Sequence, residues 1–146
     1  MLNQKDIQII SHLRTNARLS LTEISKKTSI PISTIYTKLL AYRAGLIKKH
    51  TTLLDFEKLG YHTIALIFLS CEQSQKEALA ESLVKNENIN SVFKLNNEFQ
   101  LMVEGVFRHV ADVDEFLEGL ESRFPITQRK LFYIVKELRR ENFSPN

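Results

Sequence analysis

Residues 20–47, SLTEISKKTSIPISTIYTKLLAYRAGLI, restrict what this chain can fold into more than any other stretch. Ser20 followed by Glu23 has the pattern of a capping box, in which the serine hydroxyl accepts a backbone N–H and the glutamate reaches back to the cap. It predicts a short helix ending near Thr28. Ile30-Pro31-Ile32 then interrupts the periodicity, because proline disfavours helical backbone in the residue before it but is tolerated in the first turn of a new helix. A second helix is expected from about residues 31–33, with Ile32, Ile35, Leu39 and Tyr42 as one apolar stripe and Gly45 as a left-handed cap. Two amphipathic helices with so short a break have the shape of a helix-turn-helix.

The opposite face of the second helix carries Ser33, Thr37 and Leu40, flanked by Tyr36 and Arg43 on one edge and by Thr34 and Lys38 on the other. A helix fits the major groove of duplex DNA, hydroxyls bond phosphates or base edges, and apolar atoms touch the thymine methyl. These seven residues are therefore the expected reading face. Periodicity is equally satisfied by a three-helix packing module with a solvated face, and charge separates the two. Residues 1–50 hold nine basic side chains against Asp6 and Glu23, a net +7, while residues 51–146 hold eleven basic and fifteen acidic ones, a net −4. A basic module suits phosphate binding, where each neutralised phosphate releases condensed counterions. Lys26, Lys27, Lys48 and Lys49 are the expected backbone-positioning residues.

The 146 residues are 43% hydrophobic, enough for one domain or two small ones. Met1 leads into a polar segment without the pattern of a signal peptide, and no apolar run approaches the ~20 residues that span a bilayer, so a cytoplasmic protein is expected. Cys71 is the only cysteine and ends an apolar run, which suits a buried small hydrophobe.

Asn3 is a plausible cap for a first helix with Ile7, Ile10 and Leu13 at three-residue spacing, ended by Asn16-Ala17-Arg18. Lys48-Lys49-His50 should form an exposed basic strand or wing. Residues 51–60 read as a connector. Residues 61–71 are apolar at nearly every position, as in a strand covered on both faces. Ser74 with Glu77 repeats the capping box ahead of Ala78, Leu79, Leu83 and Val84. Ile89, Ser91, Phe93 and Leu95 then alternate, as do Phe99, Leu101 and Val103, around Asn96-Asn97, which suit a two-residue type I′ hairpin. Asp112 with Glu115 caps a helix with the stripe Val113, Phe116, Leu117, Leu120 and Phe124, stopped by Pro125, and residues 130–138 make a last strand. The order strand, helix, strand, strand, helix, strand is that of a ferredoxin-like domain. Two helices cover one face of its sheet, so the other face calls for a partner, most simply a second copy.

The fold class is thus α+β: a three-helix, winged helix-turn-helix over residues 1–50, a connector at 51–60, a βαββαβ domain over 61–138 and a tail at 139–146. With its Ala-Gly-Leu-Ile step at the end of the helix-turn-helix and its Leu-Gly connector, the chain resembles the Lrp/AsnC, or feast/famine, transcriptional regulators along its whole length. The resemblance implies sequence-specific binding of double-stranded DNA by a homodimer, assembly into a higher homo-oligomer, and modulation by an amino acid or another small molecule. It places the effector at the hairpin, where Asn97, Glu98, Phe99 and Gln100 match a family pattern of Gly-x-x-Asp. Both ends of that pattern differ here. Threonines common at the start of the family's last strand are replaced by Arg129 and Leu131.

The same build also resembles the sirohaem decarboxylases, the alternative reading. Their His-Asn-Tyr type motif corresponds here to Ser91-Val92-Phe93-Lys94, and the chain has no tryptophan. No catalytic constellation emerges: His12, His50, His62 and His109 lack metal-ligand spacing, and the four glycines form no phosphate-cradling loop. No catalytic residue, metal or cofactor is expected.

Overall fold

The computed structural model describes residues 1–146, which divide into two compact units, Met1–Leu53 with Leu138–Asn146, and Leu54–Glu137. In the first unit, α1 spans Gln4–Thr15, α2 Leu21–Thr28 and α3 Ile32–Arg43. Asn3 caps α1 in a reciprocal box with Asp6, and Ser20 and Glu23 do the same for α2. Between α2 and α3 the chain turns through Ser29 at φ +59°, and the Ser25 hydroxyl donates to the Ile30 carbonyl at 2.6 Å. Ile9, Ile24, Ile30, Ile35 and Tyr42 form the buried core, with Ile10, Leu13, Leu19, Leu21, Leu39 and Ile47 packed around it.

Three expectations for this unit are corrected. Ile32 opens α3 and is 45% exposed, so the apolar stripe begins only at Ile35. Gly45 is not left-handed: Ala44 stays right-handed, and the N–H groups of Gly45, Leu46 and Ile47 all turn back to the Tyr42 carbonyl, so the helix end tightens without a left-handed residue. Lys48, Lys49 and His50 are exposed, but they form no strand because they meet no ladder partner. The tail belongs to this unit. Arg14 donates from Nε to the Phe143 carbonyl at 2.7 Å and from Nη2 to the Glu141 carbonyl at 2.8 Å, and the Ser11 hydroxyl reaches the Pro145 carbonyl at 3.0 Å.

The second unit opens with a short turn at Glu57–Leu59, closed by Gly60 at φ +86°. An antiparallel sheet follows, in the order β2-β3-β1-β4, from β1 (Thr63–Cys71), β2 (Ile89–Lys94), β3 (Leu101–Phe107) and β4 (Ile126–Tyr133). Helices α4 (Lys76–Val84) and α5 (Val110–Arg123) supply Leu79, Leu83, Val113, Leu117 and Leu120 to a core shared with Ala65, Ile67, Leu69, Leu101 and Val103. This is the ferredoxin-like arrangement.

In strand β1, Ala65, Ile67 and Leu69 are buried beneath the helices, while the apolar Ile64, Leu66 and Phe68 on the second face are only partly covered, as expected of a face that two helices cannot reach. Other local details depart from expectation. A turn at Gln73–Gln75 leads into α4, so Gln75 stands at the cap position and the Ser74–Glu77 box does not form; the Glu77 carboxylate pairs instead with Lys94 at 2.8 Å. The hairpin closes on a Leu95–Gln100 pair with four residues in its loop, and neither Asn96 nor Asn97 has positive φ. Helix α5 begins a turn earlier than its expected cap, with the Asp112 carboxylate accepting the His109 N–H at 3.0 Å. The last strand starts at Ile126, directly after Pro125, and not at Lys130.

Candidate nucleic-acid interface

Helix α3 turns one continuous arc outward. Tyr36 is 56% and Leu40 47% exposed, and Ser33, Thr37 and Arg43 lie beside them in solvent. Five of the seven expected reading residues therefore share one face. The Thr37 hydroxyl donates to the Ser33 carbonyl at 3.0 Å, which fixes its rotamer and leaves its methyl and oxygen lone pairs to a ligand. Ile32, Ala41 and Ala44 complete the arc. Spacing alone places Ile32 on the apolar stripe, and alanines carry no donor to mark them in the sequence. Their exposed carbon atoms suit thymine methyl groups.

The other two residues are placed differently. Thr34 is half-buried, and Lys38 is drawn to the inner edge, its Nζ 2.7 Å from Asp6 Oδ1. The Tyr42 hydroxyl donates to the same oxygen at 2.5 Å. Asp6 also accepts the Asn3 N–H, and that bond together with those from Lys38 and Tyr42 outweighs burial, holding the carboxyl at about 2. Burial, reinforced by the hydrogen bond to Asp6, pushes the Tyr42 phenol well above its usual range.

Lys26 and Lys27 stand exposed in the last turn of α2, as do Lys48 and Lys49 beyond α3. With the tail counted, this unit holds eleven basic residues against Asp6, Glu23 and Glu141, a net +8, and the second unit, with nine basic and fourteen acidic residues, carries −5.

The expected effector residues in the second unit lie in and beside the β2–β3 loop. Asn97 and Glu98 are exposed, the Phe99 ring lies 5.6 Å from Phe68, and Gln100 is tied by its backbone N–H to the Leu69 carbonyl and by its side-chain oxygen to the Cys71 N–H, both at 3.1 Å. A cleft of about 290 Å³ in this unit is lined by Phe56, Leu59, Tyr61, Glu87, Asn88, Ile89, Asn90 and Val106. No group of three or more His, Cys, Asp or Glu side chains is placed to hold a metal, and no helix is long and apolar enough to cross a membrane.

Residues 2–39 match the family model of winged helix-turn-helix DNA-binding domains. Among curated proteins, the HTH-type transcriptional regulator FL11 of Pyrococcus abyssi is 30% identical over 122 residues, covering 83% of this chain and 81% of that one. A transcriptional regulator of Neisseria meningitidis, solved as its L-Met complex, superposes with a TM-score of 0.88 at 24% identity over 96% of this chain and 94% of that one. Escherichia coli AsnC superposes with a TM-score of 0.87 at 15% identity over 99% of both.

Proposed function

Because this chain belongs to the Lrp/AsnC family of helix-turn-helix transcriptional regulators, we propose that α3 enters the major groove with Ser33, Tyr36, Thr37, Leu40 and Arg43 against the bases. The observation that carries this reading is the outward arc of α3 on the basic unit. Lys26, Lys27, Lys48 and Lys49 hold the flanking phosphates. Thr34, half-buried, stands beside this face. Arg43 is the one uncommitted charge on the face, so few arginine–guanine pairs form and sites lean towards A·T.

A homodimer joined through the open sheet face presents two such helices. Phe93 and Phe132 lie exposed on that face beside Phe68, and the T-shaped Phe68–Phe132 contact at 6.0 Å leaves ring surface for a second copy. Two-fold symmetry then requires inverted half-sites about 10 bp apart or a multiple of it. The decarboxylase alternative finds no support, since residues 91–94 lie in β2 as ordinary ladder partners of β3.

For the effector, the L-Met complex of the Neisseria relative supports a small-molecule response at large. The hydrogen bonds of Gln100 favour a response that is lost or redirected to a different ligand. Sequencing of DNA cross-linked to the protein in cells tests the main reading: the expected result is a shared A·T-rich inverted repeat, and recovery of DNA without any common motif overturns it.

A further inference from the structure

Asp6 is the buried acidic residue of the first unit, 6% exposed, and it receives three donors: Lys38 and Tyr42 on Oδ1 and the Asn3 N–H on Oδ2. Lys38 and Tyr42 are one turn apart on α3, so both reach a single carboxylate on α1. Asp6 therefore pins α3 to α1 and occupies the one lysine of α3.

That lysine stands beside Thr37 and Ala41, at the border of the outward arc, with a four-carbon stem long enough to reach past them. Its side chain is 23% exposed and its ammonium faces inward. Withdrawing it toward a phosphate would leave a buried carboxylate without its cation, which is strongly unfavourable. Phosphate contacts hold any duplex alike, whereas base contacts specify sequence.

We infer that Asp6 is a positioning residue for DNA recognition: it keeps the Lys38 charge off the duplex and fixes α3, so that discrimination rests on the uncharged arc and Arg43. The inference rests on the assignment of α3 as the reading helix. Removing the Asp6 charge frees Lys38 to bind phosphate on every sequence and loosens α3 on the selected one. Binding to random DNA rises and discrimination falls.

The test uses the full-length protein with two probes, a random-sequence 30-bp duplex pool and a duplex selected from that pool by the wild type. Affinity is measured against salt for wild type, Asp6→Asn, Lys38→Met and the double variant. Each phosphate neutralised adds about 0.9 to the slope of log K against log salt. Expected are equal slopes for wild type and Lys38→Met, a slope steeper by about 1 per subunit for Asp6→Asn with a several-fold loss of discrimination, and return to the wild-type slope in the double variant. A slope shallower by about 1 in Lys38→Met overturns the inference, because Lys38 then touches phosphate in the wild type. So does a folded Asp6→Asn with wild-type slope and discrimination. If either single variant does not fold, as judged by circular dichroism, the double variant, which leaves no unpaired buried charge, decides: a wild-type slope supports the inference and a slope shallower by about 1 per subunit overturns it. Wild-type protein that binds neither probe removes the DNA-binding assignment itself, whereas binding with the wrong slopes removes only the role of Asp6.

Discussion

The side-chain carbonyl of Gln100 accepts the Cys71 N–H at 3.1 Å, so the residue that ends the β2–β3 loop also closes the end of β1. What remains of the amide is an NH₂ donor, which repels the ammonium group that a carboxylate at this position would attract. Leucine, lysine and methionine at millimolar concentration should therefore leave the melting temperature unchanged, whereas a ligand at 100 times its Kd adds ~2.7 kcal/mol of stability. A clear upward shift in a thermal scan with any of the three would restore the ordinary amino-acid response. Gln100→Ala, which deprives the Cys71 N–H of its acceptor, should lower stability by about 1–2 kcal/mol in urea unfolding.

Neighbouring positions of β1 should respond in opposite ways to a charge. Phe68 lies on the open face, so Phe68→Lys should keep the fold and yield monomers in sedimentation, since a stable interface buries about 800 Å² per partner. Ile67 is fully buried against α4 and α5, and Ile67→Lys should unfold the unit by leaving an unpaired charge in its core. A wild-type chain that sediments as a monomer at micromolar concentration would remove the proposed interface.

Acid should loosen the helix-turn-helix through Asp6. Its carboxyl titrates at about 2 in the folded chain against 3.8 ordinarily, so its stabilisation is present in full above about pH 4 and is lost as pH falls towards 2. The shift corresponds to roughly 2 kcal/mol. Unfolding followed through the Tyr42 ring signals should steepen between pH 4 and 2 in the wild type and lose that slope in Asp6→Asn. Equal slopes would mean that Asp6 titrates normally.

Gly60 combines φ +86° with an Arg108 guanidinium nitrogen 3.0 Å from where a Cβ would stand. Arg108 in turn lies over the Tyr61 ring at 4.6 Å. Gly60→Ala should therefore lose about 1–2 kcal/mol from backbone strain and a weakened cation–π contact, read as a lower urea midpoint. An unchanged midpoint would mean that the turn relaxes freely.

Residues of the α3 arc should separate by chemistry in a binding assay. Arg43→Ala should reduce preference for the selected site by about 1–3 kcal/mol, as loss of a base contact does, and Leu40→Ala should leave the salt slope alone while also reducing that preference. A Leu40→Ala variant with undiminished preference would take the centre of the arc out of the groove.

Features governed by near neighbours in sequence were legible before the structure. The caps at Asn3 and Ser20 depend on a partner three residues away, and both form. The βαββαβ order followed from periodicity in the same way. Local spacing was not always enough, since the left-handed cap at Gly45 and the two-residue turn at Asn96-Asn97 do not form, and other departures were set at long range. Glu77 had the right spacing for a cap, but Lys94, seventeen residues on, holds its carboxylate. Lys38 had the position of a DNA contact, and Asp6, thirty-two residues earlier, takes its charge. The onset of β4 is likewise set by a distant partner, since Ile126 opens the ladder by pairing with Cys71 across a bulge.

Arg14 hydrogen-bonds the carbonyls of Glu141 and Phe143, so the helix-turn-helix is assembled from two separate lengths of chain. Removal of residues 138–146 is consequently an edit to the helix-turn-helix itself: it strips the partners of Arg14 and Ser11 from α1 while leaving every residue of α2 and α3 in place.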